Sequence, residues 1–308
     1  MGGRRLPARG VIALALITTW LTTGANFIGF KLALETMPPL TMMTARLFAA
    51  AVIIVVAARV RQPLKWPGPR QVRSTMIVGT LLLVLGQGGI VWGVRQLPAG
   101  FSAVFASSSP LFLVLLEYVF GRDALSARKM IGVLLGFGGL ILMSTLSTGT
   151  GANQVSAIAF VLAGSASWAL GSMVERWLQM PSDPMLSGAL QMLWAGCAML
   201  CLALLAGELS RIDVHAISAR SYVGLTCLVI FGMVIGFATF VWLNGATSPT
   251  LANTFNYVSP IVAMAAAFWL FNEPVGWSKA ASALVVLAGV AFIVGGGSEK
   301  SGRKESRG

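Results

Sequence analysis

Apolar blocks separated by short polar or charged stretches recur along this chain from Val11 to Gly295. A helix rises 1.5 Å per residue, so a block of about 20 residues covers the ~30 Å hydrocarbon core of a bilayer. The blocks predict ten helical spans. Five lie at Val11–Phe30, Pro38–Ala58, Ser74–Val94, Ala99–Val119 and Ser126–Leu146. After a polar, uncharged linker, Ser147–Asn153, five more follow at Gln154–Leu178, Pro184–Ala206, Tyr222–Asn244, Ser248–Leu270 and Val275–Gly295. Arg4, Arg5 and Arg9 ahead of the first block would also suit a signal peptide. The block is too long for one and lacks a small-residue cleavage site, so it is expected to span.

The spacing repeats. Sliding the sequence by 150 residues brings Val91-Trp92 onto Val241-Trp242, Phe105 onto Phe255 and Ser109-Pro110 onto Ser259-Pro260. It also brings Asp123 onto Glu273, Lys129 onto Lys279 and Gly139 onto Gly289, with no gap across Val91–Ser144. A Ser-Pro pair, an acidic residue and a Lys in one register mark an internal repeat. Five spans per repeat is an odd number, so the halves are expected to insert in opposite senses. Inverted repeats with a site near the midplane are a plan of secondary transporters.

Composition agrees with a polytopic membrane protein: 308 residues, 56% hydrophobic and only 10% charged, with a mean hydropathy of +0.81. The net charge of +12 reports topology rather than nucleic-acid binding. Sixteen of the 22 Lys and Arg fall in the termini and alternate loops that would share one side. Five fall on the other, and Arg46 lies within a span. The positive-inside rule therefore puts both termini in the cytoplasm. The three cysteines (Cys197, Cys201, Cys227) lie in apolar blocks and are expected to be buried packing thiols.

Several residues carry a resemblance. Trp20, Asn26, Lys31 and the Pro38…Arg46 spacing resemble the start of an EamA domain. Leu97-Pro98-Ala99, Ser109-Pro110 and the trailing Asp123…Gly139 resemble its end. Both halves together are similar to the ten-helix drug/metabolite transporter superfamily over residues 11–296, and within it to YddG-type exporters of aromatic and other neutral amino acids. The resemblance implies an all-α fold of two inverted EamA repeats, 11–146 and 154–296, with both termini inside and a basic cytoplasmic tail at 297–308. It also implies a cavity surrounded by spans 1, 3, 4, 6, 8 and 9, with spans 5 and 10 outside. The second half has no arginine matching Arg46, but Gln191, Met192 and Trp194 instead.

Polar residues inside spans are costly unless they meet partners or water, so they are the candidates for a site. Thr19, Thr22, Thr23 and Asn26 form one face of the first span, and Asn253, Asn256, Tyr257 and Pro260 one face of the ninth. The matching face of the fourth, Ala103, Ala106, Ser107 and Pro110, is small. The sixth offers Ser165, Trp168 and Ser172, and the third offers Gln87 among glycines. These groups suit either a mostly apolar substrate cavity or hydrogen bonds between packed helices. Trp20 and Trp168 lie near the centres of their spans, where they could stack on a substrate or pack the core. Pro110 and Pro260 each remove a backbone hydrogen bond in mid-span, giving a gating hinge or a static kink. Arg46, about a third of the way in from the outer face, either pairs with a substrate carboxylate or anchors its span to neighbouring carbonyls. Glu117 sits near the inner end of the fourth span.

These features predict a multi-pass protein of the bacterial inner membrane that exports aromatic or neutral amino acids, or similar small metabolites, by alternating access. It is expected to work as a monomer on a small-molecule substrate in the lipid bilayer, with no cofactor, metal or nucleic acid. Two alternatives are an exporter of other drugs or lipophilic metabolites and a non-transporting structural membrane protein. Exporters of lipophilic cations in the small four-helix relatives need an acidic residue deep in the first span; Val11–Phe30 has none. An enzyme would need a catalytic cluster that one loop histidine, His215, and scattered carboxylates do not supply.

Overall fold

The computed structural model describes residues 9–61, 66–121, 125–145, 152–247, 251, 254–273 and 276–295. The first repeat forms α1 (Arg9–Ala33), α2 (Pro39–Arg61), α3 (Pro69–Gln96), α4 (Ala99–Val119) and α5 (Ala127–Thr145). The second forms α6 (Ala152–Glu175), α7 (Pro184–Leu205), α8 (Ala219–Ala246), α9 (Phe255–Phe271) and α10 (Trp277–Gly295). Among the described residues, eight of these are long and apolar enough to cross a membrane, and α9 and α10 are shorter apolar helices. Residues 248–250 and 252–253, in the expected ninth span, lie outside the described residues.

Helix pairing shows the repeat symmetry. The α2–α7 and α5–α10 pairs each join equivalent helices of the two halves. The α3–α6 pairing is matched by α8–α1, and the α4–α6 pairing by α9–α1. One large apolar core lies among α1, α2, α3, α7 and α8, and a second among α4, α5, α6 and α10.

Glycines allow the closest crossings. A Cβ on Gly164 of α6 would lie 2.5 Å from Gly86 O of α3, and one on Gly289 of α10 would lie 2.6 Å from Gly132 O of α5. Small residues at such points substitute for the hydrophobic drive that lipid cannot supply. Gly164→Val is expected to lower the thermal midpoint in detergent sharply, by the ~1–3 kcal/mol or more typical of overpacking. Gly138→Ala, where a Cβ would meet nothing within 4 Å, should leave it unchanged.

Two departures from regular helix are not visible in the apolar pattern. α3 contains a π-helical segment, Thr80–Gln87, and α8 contains its counterpart, Leu228–Ile235. Such segments concentrate at functional sites. Ser167 Oγ of α6 donates to Leu81 O within the first, at 2.8 Å. The other departure is in α4, which breaks at Ser107-Ser108 into Ala99–Ala106 and Ser109–Val119. Pro110 has no N–H to offer Ala106 O. Both serine hydroxyls turn back onto the preceding turn, Ser107 Oγ to Val104 O at 2.7 Å and Ser108 Oγ to Phe105 O at 2.6 Å. Ser165 Oγ of α6 approaches Ala106 O at 3.4 Å. Pro260, by contrast, lies inside a continuous α9. The two prolines thus occupy different local structures although the repeat equates them.

Polar contacts join the ends that the charge tally assigns to one side. At the outer end Glu273 Oε1 accepts from Ala99 N (3.0 Å), capping α4, and Glu208 Oε2 accepts from Thr41 N (3.0 Å), capping α2. Lys31 Nζ donates to Leu97 O at 3.2 Å, and Arg220 pairs with Glu35 at 3.4 Å. At the inner end Arg176 pairs with Glu117 at 3.0 Å. Asp123, the repeat partner of Glu273, lies outside the described residues. The cysteine expectation needs correction. Cys197 and Cys201 are exposed and Cys227 is intermediate. Four residues apart on α7, the first two share its outward face.

Candidate functional site

Between the repeats lies a cavity of about 120 Å³. By the same measure one water needs only ~10–15 Å³, so the space has room for a small organic solute. α1 lines it with Thr23, Asn26, Phe27 and Phe30, α2 with Arg46, and α3 with Gln87 and Ile90. α4 contributes Ala103, Ala106, Ser107 and Ser109, α6 contributes Ser165 and Trp168, and α9 contributes Phe255, Asn256 and Ser259. The floor is mainly apolar, with polar groups from both repeats converging on it, as in small-molecule sites generally.

Helix breaks explain why these side chains reach the cavity. Gln87 closes the π segment of α3. Ser107 and Ser109 flank the break in α4, and Phe255 begins α9. Asn26 fits because position 232 in the π segment of α8 is glycine; a Cβ there would strike the Asn26 amide.

Arg46 is the outstanding feature. It is wholly buried and lines the cavity, with its guanidinium 4.7 Å from the centre of the Phe30 ring. Its Nε and Nη1 have no hydrogen-bond partner among the described residues. Anchoring to backbone carbonyls through these atoms, one of the two roles open from sequence, is therefore not what the structure shows. Burying a guanidinium in a span costs ~3 kcal/mol on insertion scales and more by other measures. A cation–π contact returns about 0.5–2 kcal/mol. Phe30 thus offsets only part of the cost. Gln87 Oε1 and Asn26 Oδ1 are buried and without partners too. The matching region of α7 differs in kind. There Gln191 Nε2 donates to Glu175 (3.2 Å) and Trp194 Nε1 to Thr80 Oγ1 (2.9 Å).

Several candidates from the sequence do not line this space. Trp20 Nε1 donates to Thr254 Oγ1 at 2.9 Å, tying α1 to the start of α9. Thr19 bonds Ala15 O and Ser172 bonds Trp168 O, each at 2.9 Å, within their own helices. Tyr257 packs against the second apolar core. Asn253 lies outside the described residues. Pro110 and Pro260 shape the helices that line the cavity but are not part of its wall. Sequence reasoning missed Phe27, Phe30, Ile90, Ser109, Phe255 and Ser259. Ser109 and Ser259 were within reach, since they are the repeated Ser-Pro pair, and Phe30 falls on the Thr23–Asn26 face.

The sequence model of the EamA-like transporter family matches twice, over residues 10–145 and 155–295. The chain belongs to this family. Relatives include the inner membrane transporter YedA of Escherichia coli K12, 30% identical over 254 residues that cover 81% of this chain and 79% of that one. The transporter YvbV of Bacillus subtilis is 24% identical, covering 94% and 93%. A Salmonella typhimurium protein named "Probable amino-acid metabolite efflux pump" is 23% identical, covering 93% and 95%. A protein of known crystal structure shares the fold with a TM-score of 0.63 at 15% identity, covering 92% of this chain and 96% of the other. The EamA-like assignment makes this a multi-pass membrane transporter of small metabolites.

Proposed function

We propose that the protein exports amino acids, aromatic or neutral, or close metabolites across a bacterial inner membrane by alternating access at the cavity between its repeats. The observation that carries this reading is a small, mainly apolar space walled by both inverted halves, with unpartnered polar groups of Arg46 and Gln87. The Salmonella protein named as a probable amino-acid metabolite efflux pump supports an amino-acid substrate class.

The exposure of the lining favours an inward-facing state. Toward the outer end, Phe30, Arg46 and Ala103 are buried, and α4 is buried from Ala99 to Phe105. Toward the inner end, Thr23, Ala106, Ser109 and Phe255 are half-buried. Reconstituted proteoliposomes should exchange labelled alanine, serine, leucine or phenylalanine, measured with and without a pH gradient. Acceleration by the gradient would make protons the coupling ion. No movement of any of these amino acids under either condition would contradict the reading.

A further inference from the structure

We infer that the cavity reads a zwitterion, with Arg46 holding the carboxylate and Gln87 accepting from the ammonium group. The inference rests on the proposed transport of amino acids and assigns the groups that recognise them. Arg46 presents two buried donors, Nε and Nη1, without partners among the described residues, and Gln87 presents a buried acceptor, Oε1, in the same condition. Both side chains line one cavity. A guanidinium has donors only, in a planar fork that matches a carboxylate. An amide oxygen suits an ammonium, which has donors only. A neutral or cationic solute would leave the arginine uncompensated, and a simple acid would leave the glutamine oxygen unmet.

The polarity of the site follows from helix depth. Arg46 is seven residues, about 10 Å, from the outer end of α2, whereas Gln87 is nine residues from the outer end of α3. The carboxylate therefore lies on the outer side of the ammonium, offset by about 3 Å along the helices, at the guanidinium that the Phe30 ring braces. Asn26 is the neighbouring polar group on α1. Its Oδ1 is pressed toward Gly232, so the ammonium acceptor is Gln87 unless the Asn26 amide turns over. Among the described residues of the second repeat, the nearest counterpart, Gln191, is held by Glu175 and Ser187. The recognition is thus one-sided although the scaffold is symmetric.

Three compounds built on each side chain isolate the two contacts: L-alanine, L-alaninamide and propionate, with the leucine and phenylalanine sets alongside. Ligand-dependent thermal shift of the purified protein and inhibition of labelled amino-acid exchange are read together. In the wild type the amino acid should act at about tenfold or more lower concentration than its amide or its deaminated acid. Arg46→Gln should abolish the advantage of the amino acid over the amide, and Arg46→Lys should restore part of it. Gln87→Leu should abolish the advantage over the deaminated acid while keeping that over the amide. Should the arginine variants not fold, the wild type and Gln87→Leu still decide. Amino acids and amides of equal potency in the wild type, or an unchanged preference in Arg46→Gln, would overturn this inference and leave amino-acid transport standing. A response to none of the compounds would overturn both.

Discussion

Joining the outer halves of α4 and α9 by a disulfide is expected to abolish transport, and a reductant to restore it. Gly100 and Met264 are the sites. A Cβ on Gly100 would lie 3.4 Å from Met264 Cβ, just below the Cβ–Cβ range of ~3.5–4.5 Å that a disulfide accepts, so a small backbone shift completes the bond. In a chain whose three native cysteines are replaced by serine, Gly100→Cys with Met264→Cys should therefore oxidise readily in the described conformation. Alternating access needs this end to open, and a covalent bond forbids it. Met264→Cys alone should transport as the background does, and Gly100→Cys alone, whose Cβ would lie 3.0 Å from Met264 Cα, is the control for any loss from crowding. A cross-linked protein that transports at full rate would show that the outer ends of α4 and α9 do not separate.

The second large effect concerns two tryptophans that look alike in the sequence. Trp168 lines the cavity, whereas Trp20 ties α1 to α9 through Thr254. Trp168→Ala is expected to raise the KM for a transported amino acid in the protein that still folds, beyond any loss of yield from its packing against the large core. Trp20→Ala should instead lower stability without changing the KM, by less than the ~3–5 kcal/mol of a fully buried tryptophan, since Trp20 is half-buried. Trp20→Phe keeps the ring and loses the hydrogen bond, so about 1 kcal/mol should go. Thermal midpoints and transport measured on the same preparations separate the two outcomes. Equal losses of yield and transport in both alanine variants would make both residues packing groups.

Depth along a helix was readable from the sequence, and direction around it was not. Ten apolar blocks, the 150-residue register and the lysine–arginine tally locate each residue along its span. The azimuth of a side chain is harder, because a helix that is apolar toward both lipid and protein has no strong amphipathic face. Thr19 and Thr23 are four residues apart, yet only Thr23 reaches the cavity. The outward-facing Cys197 and Cys201 were misjudged for the same reason. The π segments in α3 and α8 shift the hydrogen-bond register without changing the apolar pattern, so they left no trace in it. Participation of α2 in the cavity departs from the arrangement that the family resemblance implied, and no residue of α8 lines the space described. The family model establishes the EamA-like family, and the relatives YedA and YvbV carry no argument for YddG-type export in particular.

The central claim is that one cavity between inverted repeats opens to each side in turn. A cysteine at Ala106, half-buried on the cavity wall, tests it in the background carrying Gly100→Cys and Met264→Cys, by mass-resolved labelling with an impermeant maleimide. In inside-out vesicles, where the reagent meets the cytoplasmic face, Cys at 106 should react whether the pair is oxidised or reduced. In right-side-out vesicles it should react only after reduction, and faster while substrate is being exchanged. Labelling from the outside that is unaffected by the cross-link, or reaction from the outside alone, would contradict the account.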